Sequence, residues 1–342
     1  MQHDFMGKKI ADNTPYLLTT AVPDAAQETN EGNLNEGDLI ARLDRLPILP
    51  FHQHLSTILG FSLLAEGADT ILVAVVATLI VAFFHVSPAL LGILLASVYV
   101  GQMIGAPIFG VLGDKFGRKR SLIISLALTG LFSIVTAYAQ NFTWLLIARM
   151  LTGIGIGGCT PTATALFNEY MPSMLRGRKS MGMQIFYAIG FSFAPLITII
   201  ILPLVGPGLG WRLVLEVGSL SLLLIPFVIL GVQESVRWQL NKKLFKPAEA
   251  IVDVLEWQAV TRYGKLTAPK SQPHTGISRI HLSEIFSRYG RRTAVSWVQW
   301  FVSGFVLAGF FGWLPTLATE TGLSIQQSQL VELAFSIIAL VM

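Results

Sequence analysis

Apolar runs of about 20 residues recur along the chain, near 57–84, 88–112, 121–139, 143–166, 180–204, 212–232 and 293–316, and an eighth begins near 328. Each complete run is long enough to cross a hydrocarbon core of roughly 30 Å. The intervals carry Gly, Pro and charge, and the runs lack the ten-residue alternation of barrel strands, so the pattern predicts membrane-spanning helices. Six spans fall before residue 232, a mostly polar stretch of about 60 residues follows, and then the spans resume. This order predicts the first half of a duplicated helical membrane protein and the start of its second half. The domain reading is a mostly disordered arm over 1–55, a six-helix domain over 56–232, a central loop over 233–292 and the start of a second membrane domain over 293–342.

Composition sharpens the class. The chain is 53% hydrophobic and 13% charged, where a soluble domain carries roughly a quarter charged residues. Residues 1–55 hold eight acidic and four basic residues and no apolar segment of a signal peptide. Order is expected to begin near ARLDRLP (41–47). The net charge of +4 follows topology: Lys and Arg crowd the arm, the 113–120 turn, 176–179 and 237–292, and avoid the turns near 85, 140 and 207. That is the positive-inside distribution, so a cytoplasmic N-terminus and a multi-pass plasma (inner) membrane location are expected, with no nucleic-acid partner. In the central loop, KPAEAIVDVLEWQAV (246–260) predicts a helix whose Ile251, Val254, Leu255 and Trp257 lie at the membrane face. The single cysteine, Cys159, reads as a packing residue within a span. LVELAFSIIALVM supplies 13 residues of the last span, which predicts that the chain is a fragment of a longer protein and transports little by itself.

The most specific stretch is GVLGDKFGRKR (110–120). Gly110 and Gly113 are expected to let helices approach, Gly117 to permit a tight turn, and Asp114 to hold a helix N-terminus or a basic partner. Lys115, Arg118, Lys119 and Arg120 are expected at the cytoplasmic surface. This stretch closely resembles the loop signature of the major facilitator superfamily. ARMLTGIGIGG (148–158) resembles the family's Arg-x-x-x-Gly motif, with Arg149 as its arginine. NEYMPSMLRGR (168–178), with Glu169, Arg176 and Arg178, resembles the loop after the fourth span. VQESVRW (232–238), with Glu234 and Arg237, resembles the Pro-Glu-Ser-Pro-Arg-Trp motif, although Gln233 and Val236 stand where prolines are usual. ARLDRLP, Glu66-Gly67-Ala68-Asp69 and GFFGWLPTLATETGLS (309–324) resemble the metabolite–proton symporters, a branch that includes carriers of aromatic acids and nicotinate. The resemblance implies a major facilitator fold, a carrier that is monomeric at full length, and alternating access with the loop motifs as a gate. Glu66 departs from the Asp usual at its position.

Charged residues inside spans carry the chemistry. An ionised side chain at mid-bilayer costs about 2.5–3.5 kcal/mol on insertion scales, and Glu66, Asp69, Arg149 and Glu216 stand where much of that cost applies. Glu66 and Asp69 lie at i and i+3 on one helical face. Two close carboxylates there form a proton-carrying pair. Arg149 is the expected partner of a substrate carboxylate, or of Asp69 when the site is empty. Gln184 and Tyr187 share a face of the fifth span, and Trp297 and Trp300 one of the seventh; all four are pocket candidates. Arg212 and Glu216 are expected to form a static pair. The expected partners are the bilayer, protons and a small organic acid, with no cofactor and no metal. GlyXGlyXGlyGly at 153–158 lies in a span and follows no strand, and no Walker sequence is present, so enzyme and ATP-driven readings are disfavoured. Drug or sugar-type carriage, or an inactive half-transporter or membrane sensor, are the alternatives.

Overall fold

The computed structural model describes residues 36–269 and 286–341. The expected disorder of residues 1–35 and the middle of the central loop lie outside them. Among the described residues the regular structure is helical: α1 (Glu36–Asp44), α2 (Pro50–Val75), α3 (Ala77–Phe84), α4 (Pro88–Phe116), α5 (Arg118–Ala137), α6 (Phe142–Tyr170) and α7 (Arg176–Val205) come first. There follow α8 (Pro207–Glu216), a 3-10 turn (Val217–Leu220), α9 (Ser221–Gly231), α10 (Val236–Asn241), α11 (Phe245–Tyr263), α12 (Gly290–Glu320) and α13 (Ile325–Val341). Seven of these stretches are long and apolar enough to cross a membrane, the sixth running from Pro207 to Gly231. They coincide with the seven predicted spans, with α13 in the place of the eighth.

Boundaries follow local chemistry. Pro88 opens α4, and Ser87 caps it by accepting the Leu90 N–H. Asn141 caps α6 by accepting from the Trp144 N–H at 2.9 Å. The first span is not the continuous helix expected over 57–84: it breaks between Val75 and Ala77. Val75 and Val76 are β-branched, which weakens helix there.

Bare backbone brings the spans together. A Cβ on Gly67 would overlap the Tyr187 carbonyl, and one on Gly190 the Leu64 carbonyl, so the first and fifth spans touch main chain to main chain. The second and fourth do the same through Gly101 and Gly153, which face the Met150 and Val98 carbonyls. Gly110 does not share this role. Its expected helix contact is absent because that face of α4 looks into open space, while Gly113 makes room for the Arg118 side chain.

Two further expectations are corrected. The apolar side of α11 turns inward: Ile251 and Leu255 are buried with Leu39 and Leu43 of α1, Val254 is half-buried, and only Trp257 of the four is exposed. Arg212 does not pair with Glu216. Its Nη1 donates to the Ala137 and Ala139 carbonyls at 2.6 and 3.2 Å, closing the end of α5, and its guanidinium lies over the Trp211 ring. The Tyr138 hydroxyl donates to Glu216 instead.

Candidate functional site

Three spans meet at one buried ion pair. Arg149 on α6 donates from Nη1 to Asp69 Oδ1 at 2.7 Å and from Nη2 to the Asp69 carbonyl at 2.9 Å. Ser133 on α5 donates to Asp69 Oδ2 at 2.6 Å. Asp69 therefore has every oxygen engaged, and neither charged side chain is reached by solvent. Burying such a pair is costly, and Ser133 reduces the cost by satisfying the carboxylate oxygen that Arg149 leaves free. Ser133 is the last of a polar stripe on α5 with Ser125 and Thr129, all buried. That i, i+4, i+8 spacing is visible in the sequence and could have flagged it.

Glu66 takes a different partner. Its Oε1 accepts from Thr160 of α6 at 2.7 Å, and its Oε2 is buried with no partner. The two carboxylates of the first span thus occupy separate polar niches one helical turn apart. Arg149 Nε is likewise buried without an acceptor. Gln184 reaches Thr164 of α6 at 3.5 Å. Tyr187 packs on Phe191, which meets Phe311 of the seventh span edge-on at 5.5 Å.

Beside Thr70, one turn beyond Glu66, lies a cavity of about 210 Å³ lined by Leu95 and Tyr99 of α4 and by Phe305, Gly309 and Trp313 of α12. Trp297 and Trp300 do not line it; they are 62% and 78% exposed, on other faces of α12. No sequence signal marks Tyr99 and Trp313, because aromatics are common in spans and only the fold selects a face.

The loop motifs converge at the basic end of the bundle. Arg118 binds Asp114 at 2.6 Å and Glu169 at 3.4 Å. Glu234 Oε1 accepts from the backbone N–H groups of Lys119 at 3.1 Å and Ser235 at 3.0 Å. Gly117, at φ 106°, leaves the room that Glu234 occupies. The Trp238 indole donates to the Asp114 carbonyl at 3.0 Å. Lys119 Nζ reaches the Ile229 carbonyl at 2.7 Å, and Lys115 lies over the Phe116 ring. Arg176 and Arg237 both approach Asp44 of α1, at 3.6 and 3.5 Å. Arg120 and Arg178 are exposed. Asp44 belongs to the ARLDRLP stretch, but nothing in its spacing marks it as the shared acceptor of two distant arginines. Arg42 and Arg45 flank it and bind Glu256 of α11 at 2.6 and 2.5 Å, with Arg42 also on Asp253.

Helices that meet through bare backbone around a buried ion pair, with ion-paired loops at one end and a cavity against a seventh span, define a helical multi-pass membrane protein. The Major Facilitator Superfamily pattern matches residues 58–342, and the chain belongs to that family. It is 30% identical over 292 residues to the niacin transporter NiaP of Acinetobacter baylyi, covering 85% of this chain and 65% of that protein. It is 29% identical over 294 residues to the 4-hydroxybenzoate transporter PcaK of the same organism, covering 85% and 64%. The chain thus spans about two thirds of the length of these relatives. Among solved structures, the xylose transporter XylE from E. coli in a partially occluded inward-open conformation superposes with a TM-score of 0.68 at 19% identity, over 86% of this chain and 69% of that one. This last likeness concerns the fold alone.

Proposed function

We propose that this chain is part of a proton-driven symporter of a small aromatic or heterocyclic carboxylate, in the plasma (inner) membrane, with the basic loops on the cytoplasmic side. The observation that carries the reading is the buried Asp69–Arg149 pair, flanked by two unpartnered polar atoms, Glu66 Oε2 and Arg149 Nε. A guanidinium that holds one carboxylate is able to hold another in its place. Protonation of Asp69 removes the charge that retains Arg149, and an incoming substrate carboxylate takes the guanidinium. Deprotonation of Asp69 on the other side restores the pair and expels the substrate. Proton and anion then move together because each competes for, or releases, the same cation.

The cavity supports an aromatic substrate. Tyr99 and Trp313 offer ring faces and edges, and the two relatives are named for niacin and 4-hydroxybenzoate, both ring carboxylates. The network around Asp114, Arg118, Glu169 and Glu234 acts as a latch that favours closure of the cytoplasmic side, opening and closing as the two halves alternate.

The test is uptake by the full-length protein in proteoliposomes under an imposed proton gradient. Accumulation of nicotinate or a hydroxybenzoate that collapses with the gradient, and is lost in Asp69→Asn and Arg149→Gln, is the expected result. Uptake indifferent to the gradient, or wild-type rates in those variants, would overturn the reading.

A further inference from the structure

The eighth span carries a carboxyl that the mechanism above does not use. Glu332, on α13, is 0% exposed, and both of its oxygens are without a hydrogen-bond partner. Its helix packs against α7 of the first half and against its own neighbour α12. One turn away, Gln329 is equally buried and donates from Nε2 to the Val75 carbonyl at 2.7 Å. That carbonyl is available because the first span breaks there: the Leu79 N–H, which would take Val75 in a regular helix, bonds Val76 instead. Gln329 therefore pins α13 to the break in the first span and fixes the register of Glu332.

That register sets its depth. Asp69 lies six residues before Val75, about 9 Å along the helix, and Glu332 lies three residues after Gln329, about 4.5 Å in the same direction. Glu332 thus sits within about one turn of the depth of the Asp69–Arg149 pair, on the far side of the seam. The charged and titratable groups of the surrounding elements do not neutralise it. On α7, Arg176, Arg178 and Lys179 stand at the basic end and Tyr187 is neutral; on α12, Arg291, Arg292 and Glu320 occupy the two ends. On α2, His52 and His54 stand at the basic end, Glu66 is held by Thr160, and Asp69 is held by Arg149. Glu332 is the sole charged residue type within α13 itself. A bare carboxylate enclosed without cation or donor costs several kcal/mol, so the enclosed form is the acid.

We propose that Glu332 is a second proton-carrying carboxyl, neutral while α13 is closed on α7 and exchanging its proton when the two helices part. On opening, water enters the seam, the Glu332 O–H bond breaks, the proton passes to water and a hydrated carboxylate remains. On closing, the carboxylate takes a proton back before it is buried. The inference rests on the proton-driven reading and adds to it a carrier on the second half of the molecule, whose state is tied to closure of the seam between halves.

The experiment uses the purified full-length protein. Infrared spectroscopy at neutral pH detects the carbonyl band of protonated carboxyl groups; Glu332→Gln is expected to remove one such band. In proteoliposomes the same variant is expected to carry one proton fewer per substrate while keeping substrate counterflow. An unchanged band overturns the proposal, and so does a lost band with unchanged proton stoichiometry, which would mean a proton held permanently. Glu332→Asp covers the case in which the Gln variant does not fold: the acid persists at a shifted frequency, and an unshifted spectrum overturns the assignment. If wild-type uptake proves indifferent to the proton gradient, the symport reading fails in that assay, whereas the band still decides whether Glu332 holds a proton.

Discussion

Arg149 and Asp69 lie 2.7 Å apart with 1% and 0% of their side chains exposed, on helices 80 residues apart in sequence. No other pair among the described residues ties a cation to a carboxylate so far from water. Removing one partner of such a pair strands the other, at about 3–5 kcal/mol, whereas removing both with apolar replacements is often close to neutral. Asp69→Ala is therefore expected to lower the melting temperature of the purified protein sharply, and Asp69→Ala with Arg149→Leu to recover much of the loss while transport stays abolished. A double variant as unstable as the sum of the single ones would show that the pair is not what each residue is held by.

Glycine substitutions separate close approach from mere membership of a motif. Gly67→Ala and Gly153→Ala place a methyl group against the Tyr187 and Val98 carbonyls, and helix backbones do not yield cheaply. Each is expected to cost about 1–3 kcal/mol as overpacking. Gly110→Ala meets open space and, with Ala the better helix former by about 1 kcal/mol, is expected to leave thermal stability unchanged or raised. Denaturation midpoints of the three variants measured together check the contrast; a Gly110→Ala loss equal to the others would contradict it.

The clamp between α1 and α11 has a sign in pH. Burial pushes the Glu256 carboxyl up, but the Arg42 and Arg45 guanidiniums outweigh it and hold the group below its ordinary value of 4.5. A carboxyl held low when docked stabilises docking above its undocked value, and that stabilisation is lost as pH falls through the docked one. Hydrogen exchange of residues 36–44, corrected for intrinsic rates, is expected to show full protection at neutral pH and loss of protection as pH drops below about 4.5. Glu256→Gln is expected to weaken protection at neutral pH and flatten the dependence. A dependence that survives in Glu256→Gln would assign it to another group.

Cys159 supplies a native reporter for the latch. It is 2% exposed, its thiol donates to the Ser62 carbonyl, and it lies beside Thr160, the partner of Glu66. Glu234→Ala leaves the Lys119 and Ser235 amides without their acceptor, a loss of about 1.5–3 kcal/mol for bonds to a charged group. If the latch holds the basic side closed, labelling of Cys159 by a maleimide is expected to accelerate roughly tenfold or more in this variant, since 1.4 kcal/mol is about a factor of ten. Unchanged labelling would place the latch elsewhere.

The spans were legible because a hydrocarbon solvent demands about 20 apolar residues per crossing, and nothing in the chain competes with that signal. The loop motifs were legible because Gly117 and its charged neighbours have few other uses. What stayed hidden depended on direction. Glu66 and Asp69 share a face in sequence, yet each leans to a different neighbour, because Thr160 and the Arg149–Ser133 pair stand at different heights on other helices. The break at Val76 carries no Pro or Gly to announce it. Trp297 and Trp300 matched a spacing rule, but the cavity faces Phe305 and Trp313 instead.

Asp69, Glu66, Arg149, Ser133 and Thr160 all belong to the first, third and fourth spans. Their contacts are complete before the seventh helix contributes anything. As domains made first at the ribosome generally fold first, the ion pair is expected to assemble while the remainder of the polypeptide is still being synthesised. A newborn chain thus shields its most expensive charges early, and a lesion at Asp69 or Arg149 would expose the protein to membrane quality control before it had finished being translated.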